Sequence, residues 1–135
     1  MKIISWNIYI PRDKSKEVEF DIVYGVPSSS WLGIDGIEDG DLYEGKISFE
    51  SFMKNDYFKN KQFQFLIDNS TKTHIENRHF SNLHHLMGKV RNYPYYCDEN
   101  HSAYTCYEFG VLGTRWNEDM IKDMSKRIAY IKSIY

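Results

Sequence analysis

The sequence has few of the features that identify an exported, membrane-spanning or disulfide-stabilised protein. Its 135 residues include two cysteines, Cys97 and Cys106, which are too few for a disulfide framework. No apolar run approaches the roughly 20 residues that a transmembrane helix needs. The first residues turn polar before a signal-peptide core forms. We therefore expect a cytoplasmic protein whose two thiols are reduced.

The sequence also lacks a large net charge. At −2, the net charge is too small to indicate nucleic-acid binding. The charges are nevertheless uneven, because residues 1–50 hold ten acids and five bases whereas residues 51–135 hold nine acids and twelve bases. Such asymmetry can steer a charged partner. We expect a basic protein partner, with no direct contact to nucleic acid and none to a membrane.

No motif for a metal or a cofactor is present. The acidic run 35–41 resembles the start of a calcium-binding loop, but the third and twelfth positions are Ile37 and Lys46. That loop needs an oxygen ligand and a glutamate at those positions. The two cysteines and His101 supply three ligands where a structural zinc site requires four. We therefore expect neither a metal site nor a cofactor.

Aromatic residues are abundant, at 16% of the chain, and most lie in segments with a strand-like pattern. Residues 2–10 and 17–24 carry apolar side chains at every second position and flank a charged turn. This pattern predicts a β-hairpin with one buried and one acidic face. Further strands are expected at 42–49 and 103–112. The segment 25–45, rich in Gly, Ser and Asp, is predicted to be mostly a long surface loop.

Two segments have the pattern of amphipathic helices. Ser70 or Thr71 is suited to cap a helix over 71–91. The segment 117–134 begins with acids and repeats apolar residues at helical spacing. The sequence thus predicts a single α+β domain over 1–135, with a mostly antiparallel sheet of about four to six strands. Both helices are expected to pack on one face of that sheet.

These features favour a non-enzymatic protein-binding domain. Acids and aromatic residues occur together within 25–45, and partner sites often combine them. An acidic surface can also mimic nucleic acid toward a cationic enzyme. The concrete hypothesis is an immunity or antitoxin-type inhibitor that neutralises a basic toxin or nuclease. The residues expected at the partner site are Trp31, Asp35, Glu38, Asp39, Asp41, Tyr43 and Glu44.

A competing hypothesis is a small, metal-independent ribonuclease. On a helix over 71–91, the residues His74, Arg78 and His85 would share one stripe. One imidazole would accept the 2′-hydroxyl proton and the other would protonate the leaving oxygen. The guanidinium would stabilise the charge that develops on the phosphoryl oxygens. This hypothesis depends on the predicted helix.

Overall fold

The sheet and two helices make up most of the structure, a computed structural model that describes residues 2–27, 37–54, 67–76, 91–92, 101–113 and 118–135. The helices are α1 (Phe49–Lys54) and α2 (Glu118–Ile134). The strands are β1 (Lys2–Pro11), β2 (Glu17–Pro27), β3 (Ile37–Ser48), β4 (Ser70–Glu76), β5 (Arg91–Asn92) and β6 (Tyr104–Gly113). Their order across the sheet is β4-β3-β2-β1-β6-β5, and neighbouring strands are antiparallel. The predicted α+β class and antiparallel sheet are confirmed.

The hairpin of β1 and β2 follows directly from the alternating sequence pattern. Ile8 lies opposite Phe20 in the register, and both side chains are buried. The turn between the strands is closed by Asp13, whose carboxylate accepts hydrogen bonds from the backbone N and the hydroxyl of Ser15, at 3.0 and 2.7 Å. An aspartate that binds the backbone two residues on is typical of such turns. The predicted hairpin is confirmed.

One face of the sheet forms the core together with both helices. Helix α1 contributes Phe52, and α2 contributes Ile128 and Ile131, two members of its predicted apolar stripe. Burying each such side chain stabilises the fold by roughly 1.5–3 kcal/mol. None of the helices described is long and apolar enough to cross a membrane. The buried residues of this core are Ile8, Ile10, Val18, Phe20, Ile22, Ile47, Phe52, Tyr107, Ile128 and Ile131.

The predicted helix over 71–91 is wrong at both ends. Residues 70–76 form β4, which pairs with β3, and residues 91–92 form β5. The β-branched residues Thr71, Thr73 and Ile75 alternate with polar ones, and this period of two suits a strand beside the free edge that β3 offers. Residues 77–90 lie outside the described part of the chain.

The predicted loop over 25–45 is also wrong where the structure describes it. Strand β2 continues to Pro27 and β3 begins at Ile37, so four acids of this segment lie on a strand: Glu38, Asp39, Asp41 and Glu44. Glycine and aspartate have low strand propensity, but β3 is hydrogen-bonded to β2 on one side and β4 on the other. Such pairing overrides the intrinsic preference of single residues. Residues 28–36 lie outside the described residues.

Candidate functional site

The face of the sheet opposite the helices carries two rows of polar side chains that cross three strands. In the first row, Asn7 of β1 lies opposite Asp21 of β2, which lies opposite Glu44 of β3. In the second row, Tyr9 lies opposite Glu19, which lies opposite Lys46. Side chains at every second position share a face, so the acidic face predicted for the hairpin continues across β3.

These two rows border an open groove of about 580 Å³, hereafter the polar groove. Its charged groups are three carboxylates and one lysine ammonium, so the groove is acidic when its histidine is neutral. Sites for small molecules are mostly apolar, with few polar groups. This groove carries more charged groups than such sites do and suits a positively charged occupant. The lining residues are Tyr9, Glu19, Phe20, Asp21, Glu44, Gly45, Lys46, Asn69, Thr71 and His101.

A histidine–glutamate pair lies at one side of the polar groove. Nε2 of His101 is 3.1 Å from Oε1 of Glu19, and the two side chains are 14% and 22% exposed. The His101 ring stacks on Tyr9 with centroids 3.9 Å apart, and the Tyr104 ring meets it edge-on at 5.4 Å. Burial, and then a hydrogen bond to Glu19, raise the pKa of Tyr104. Nζ of Lys46 lies 4.0 Å from the same Glu19 oxygen.

A second carboxylate of the polar groove, Asp21, accepts two side-chain hydrogen bonds. Its Oδ1 accepts a hydrogen bond from the side-chain amide of Asn7, and its Oδ2 accepts one from the hydroxyl of Tyr9, both at 2.9 Å. Glu44, directly across the strand pair, is exposed and has no ion pair or side-chain hydrogen bond within the described part of the chain. Like charges that lie opposite each other on neighbouring strands destabilise a sheet. A cation between Asp21 and Glu44 would offset that cost.

The residues predicted to bind a partner do not share one surface. They alternate along β3, so Asp39, Asp41 and Tyr43 lie on the helix-bearing face whereas Glu44 lies in the polar groove. The structure therefore divides these four residues between two faces of the sheet, and their role in binding a partner stays a prediction. The side chains of three further predicted residues lie outside those that the structure describes: Trp31, Asp35 and Glu38.

His74, which the ribonuclease hypothesis placed on a helix, lies on the edge strand β4. Its Nδ1 is 3.6 Å from Oδ1 of Asp41, whose other oxygen lies 3.2 Å from Nζ of Lys72. The hydrogen bond from Lys72 to Asp41 raises the pKa of that ammonium. Helical spacing cannot align His74 with residues further along the chain, because this segment is extended. The other two residues of the hypothesis lie outside the described part of the chain: Arg78 and His85.

Sequence reasoning missed most of the polar groove. One available signal was the alternation of Glu17, Glu19 and Asp21 in β2, which predicted an acidic face without assigning it a role. No local signal places His101 beside Glu19, because 82 residues separate them in the sequence. Only the pairing of β1 with both β2 and β6 brings the two side chains together.

Comparisons with known proteins add no assignment to this geometry. The side chains that the structure describes include no group of three or more His, Cys, Asp and Glu residues that could hold a metal ion. No protein-family model matches the chain, and searches of curated proteins and of solved structures find no significant match.

Proposed function

We propose that the chain is a protein-binding domain whose polar groove receives a basic segment of a partner protein. The observation that carries this proposal is the opposition of Asp21 and Glu44 on one open face of the sheet. This arrangement costs stability in the unbound protein. A lysine or arginine side chain from a partner would lie between two carboxylates and receive charge-assisted hydrogen bonds.

The fixed positions of the carboxylates in the polar groove favour binding of a cation over proton transfer. Asp21 is fixed by two hydrogen bonds, and Glu19 is held against His101. Carboxylates that are already positioned lose little conformational entropy when a cation binds. The excess of acids in the groove would also accelerate association with a basic protein.

In its finer form, the proposal is an immunity or antitoxin-type inhibitor of a basic toxin or nuclease. A groove with three carboxylates presents negative charge as a nucleic-acid backbone does, and the Tyr9–His101 stack adds a planar surface beside it. The cationic site of a nuclease is built to receive such a surface. No described contact favours the ribonuclease alternative, since His74 pairs with Asp41 on the other face.

The test is affinity capture from the native host, followed by association kinetics at two salt concentrations. Glu44→Lys should slow association by roughly tenfold or more, within the range that steering supplies. The effect should shrink as salt rises, because exposed charges are screened over about 8–10 Å at physiological ionic strength.

The matched control is Asp39→Lys, which makes the same charge change on the same strand but on the helix-bearing face. It should leave the association rate close to that of the unmodified protein. A rate that falls with Asp39→Lys and not with Glu44→Lys would move the partner site to the other face and refute the polar groove.

A further inference from the structure

We infer that His101 makes binding at the polar groove sensitive to pH, so that a basic partner is held near neutral pH and released in mildly acidic conditions. This inference rests on the proposed function and adds the regulation of the same groove. Histidine is the side chain whose ordinary titration changes its charge between pH 5 and 8. His101 is the histidine that lines the described part of this groove.

The environment of His101 couples its charge to the binding site. Its Nε2 lies 3.1 Å from Oε1 of Glu19, and the same oxygen lies 4.0 Å from Nζ of Lys46. Stacking on Tyr9 and edge contact with Tyr104 hold the ring in this position. The charged and titratable groups at this contact come from four strands: Tyr9 of β1, Glu19 of β2, Lys46 of β3 and Tyr104 of β6. Glu17 of β2 acts electrostatically on the neighbouring Tyr104.

Protonation of His101 acts on a cationic partner in three ways, and all weaken binding. It adds one positive charge to a groove that holds three carboxylates and one ammonium. It turns the contact with Glu19 into an ion pair, which withdraws that carboxylate from the partner. It also leaves Lys46 less neutralised by Glu19, so the ammonium repels a basic segment more strongly.

The test measures binding of a fluorescein-labelled oligoarginine peptide by anisotropy, at constant ionic strength. The measurement is made at about pH 7.5 and about pH 5.5, on either side of the range in which histidine ordinarily titrates. The unmodified chain should bind about fivefold more weakly at the lower pH, the smaller end of typical coupling between sites. His101→Gln should bind with the same affinity at both pH values.

The matched control is His74→Gln, which removes a 57% exposed histidine from the opposite face of the sheet. It should keep the pH dependence of the unmodified chain. A second variant, Glu19→Gln, removes the carboxylate that holds the imidazole and should reduce the pH dependence even if His101→Gln folds poorly. A melting curve at both pH values shows which variants are folded.

The outcomes separate this inference from the proposed function. Binding that is equally strong at both pH values, or a pH dependence that survives in His101→Gln, overturns the pH switch and leaves the groove as a binding site. Binding that is unchanged by Glu44→Lys, or absent at both pH values, overturns the groove as the site and the switch with it. The inference stands if the pH dependence is lost in His101→Gln and kept in His74→Gln.

Discussion

At the residue scale, Gly45 shows how closely the sheet is packed at the end of the polar groove. A Cβ on Gly45 would meet the Phe20 ring and the backbone oxygen of Asn69 at distances that real Cβ atoms essentially never show. Phe20 lies opposite Gly45 in the register, and its ring covers the space that a side chain would take. The missing side chain is therefore a packing requirement of the neighbouring strand.

We expect Gly45→Ala to destabilise the protein by about 1–3 kcal/mol, as overpacking of a filled site does. The matched control is Gly40→Ala on the same strand, where the added Cβ would lie 3.1 Å from a Val23 methyl group and 3.2 and 3.3 Å from backbone atoms of Tyr24 and Gly25, all outside clash distance. That variant should cost clearly less. Urea denaturation of both variants measures the difference, and equal losses would show that Phe20 and Asn69 move aside freely.

The raised pKa of the buried Tyr107 hydroxyl predicts that the protein loses stability at alkaline pH. Burial, and then the Tyr135 hydroxyl 3.0 Å away, raise the pKa of Tyr107 above its ordinary value. A raised folded-state pKa means that the unfolded chain releases this proton first, from about pH 10 upward. The stabilisation is therefore complete below that pH and is lost above it, by about 1.4 kcal/mol per pH unit.

The measurement is urea denaturation between about pH 8 and pH 11, across the ordinary tyrosine titration range. Tyr107→Phe should lose part of this alkaline slope, while Tyr104 still contributes to it, because burial raises its pKa in the same direction. The comparison is Tyr130→Phe, which alters a 54% exposed tyrosine whose charge is the smallest of the causes that raise the Tyr107 pKa, and it should lose less of the slope than Tyr107→Phe. An identical slope in all three proteins would contradict the role of Tyr107.

At the element scale, α2 depends on a narrow buried stripe. Ile128 and Ile131 are both fully buried against the sheet, whereas Ile134 at the end of the helix is 50% exposed. Ile128→Ala should therefore cost about 2–5 kcal/mol through lost burial and the cavity it leaves. Ile134→Ala should cost less than about 0.5 kcal/mol, as surface substitutions do.

Thermal denaturation of these two variants, followed by circular dichroism, compares the buried and exposed positions directly. If both substitutions reduce the stability by the same amount, α2 does not pack on the sheet through the apolar stripe that the sequence predicts. A large cost at Ile128 alone would show that tertiary packing holds this helix, as it holds most helices in proteins.

The local sequence pattern predicts correctly those elements in which buried and exposed side chains alternate regularly along the element. Among the described side chains, Ile8 and Ile10 of β1 and Val18, Phe20 and Ile22 of β2 enter the core at every second position, and in α2 the buried residues Ile128 and Ile131 recur at helical spacing. The sequence of β4 wrongly predicts a helix because its seven residues contain Ser70, which can cap a helix, and several polar residues as well as a period of two. A short polar segment can fit both a helical and a strand pattern, and pairing with a neighbouring strand then determines that it forms a strand.

β3 presents the same difficulty in a segment rich in glycine and aspartate. Its propensity favours a loop, and its strand form depends on hydrogen bonds to β2 and β4. Strand geometry then sends alternate side chains to opposite faces. The acids that look like one cluster in the sequence are consequently divided between two surfaces.

At the scale of the whole molecule, the sheet has one mainly apolar face and one mainly polar face. One face packs against α1 and α2, and the other presents the polar groove and the His101–Glu19 pair. The proposed partner contact and its pH dependence both belong to the second face. The first and last long strands, β1 and β6, are neighbours in the sheet, and this brings residue 101 to the acids of β2.

The sequence by itself determined the α+β class, the first hairpin with its acidic face, and α2, because these depend on local periodicity and on turn and cap chemistry. Only the tertiary structure decided that β3 begins as early as Ile37 and that 70–76 is a strand, since strand pairing links residues distant in the chain. It also decided the candidate site, because Tyr9, Asp21, Glu44 and His101 meet only when four strands are in register. The sequence gives the uneven distribution of charge along the chain, but the surface on which the acids collect is set by the order of strands and by side-chain alternation.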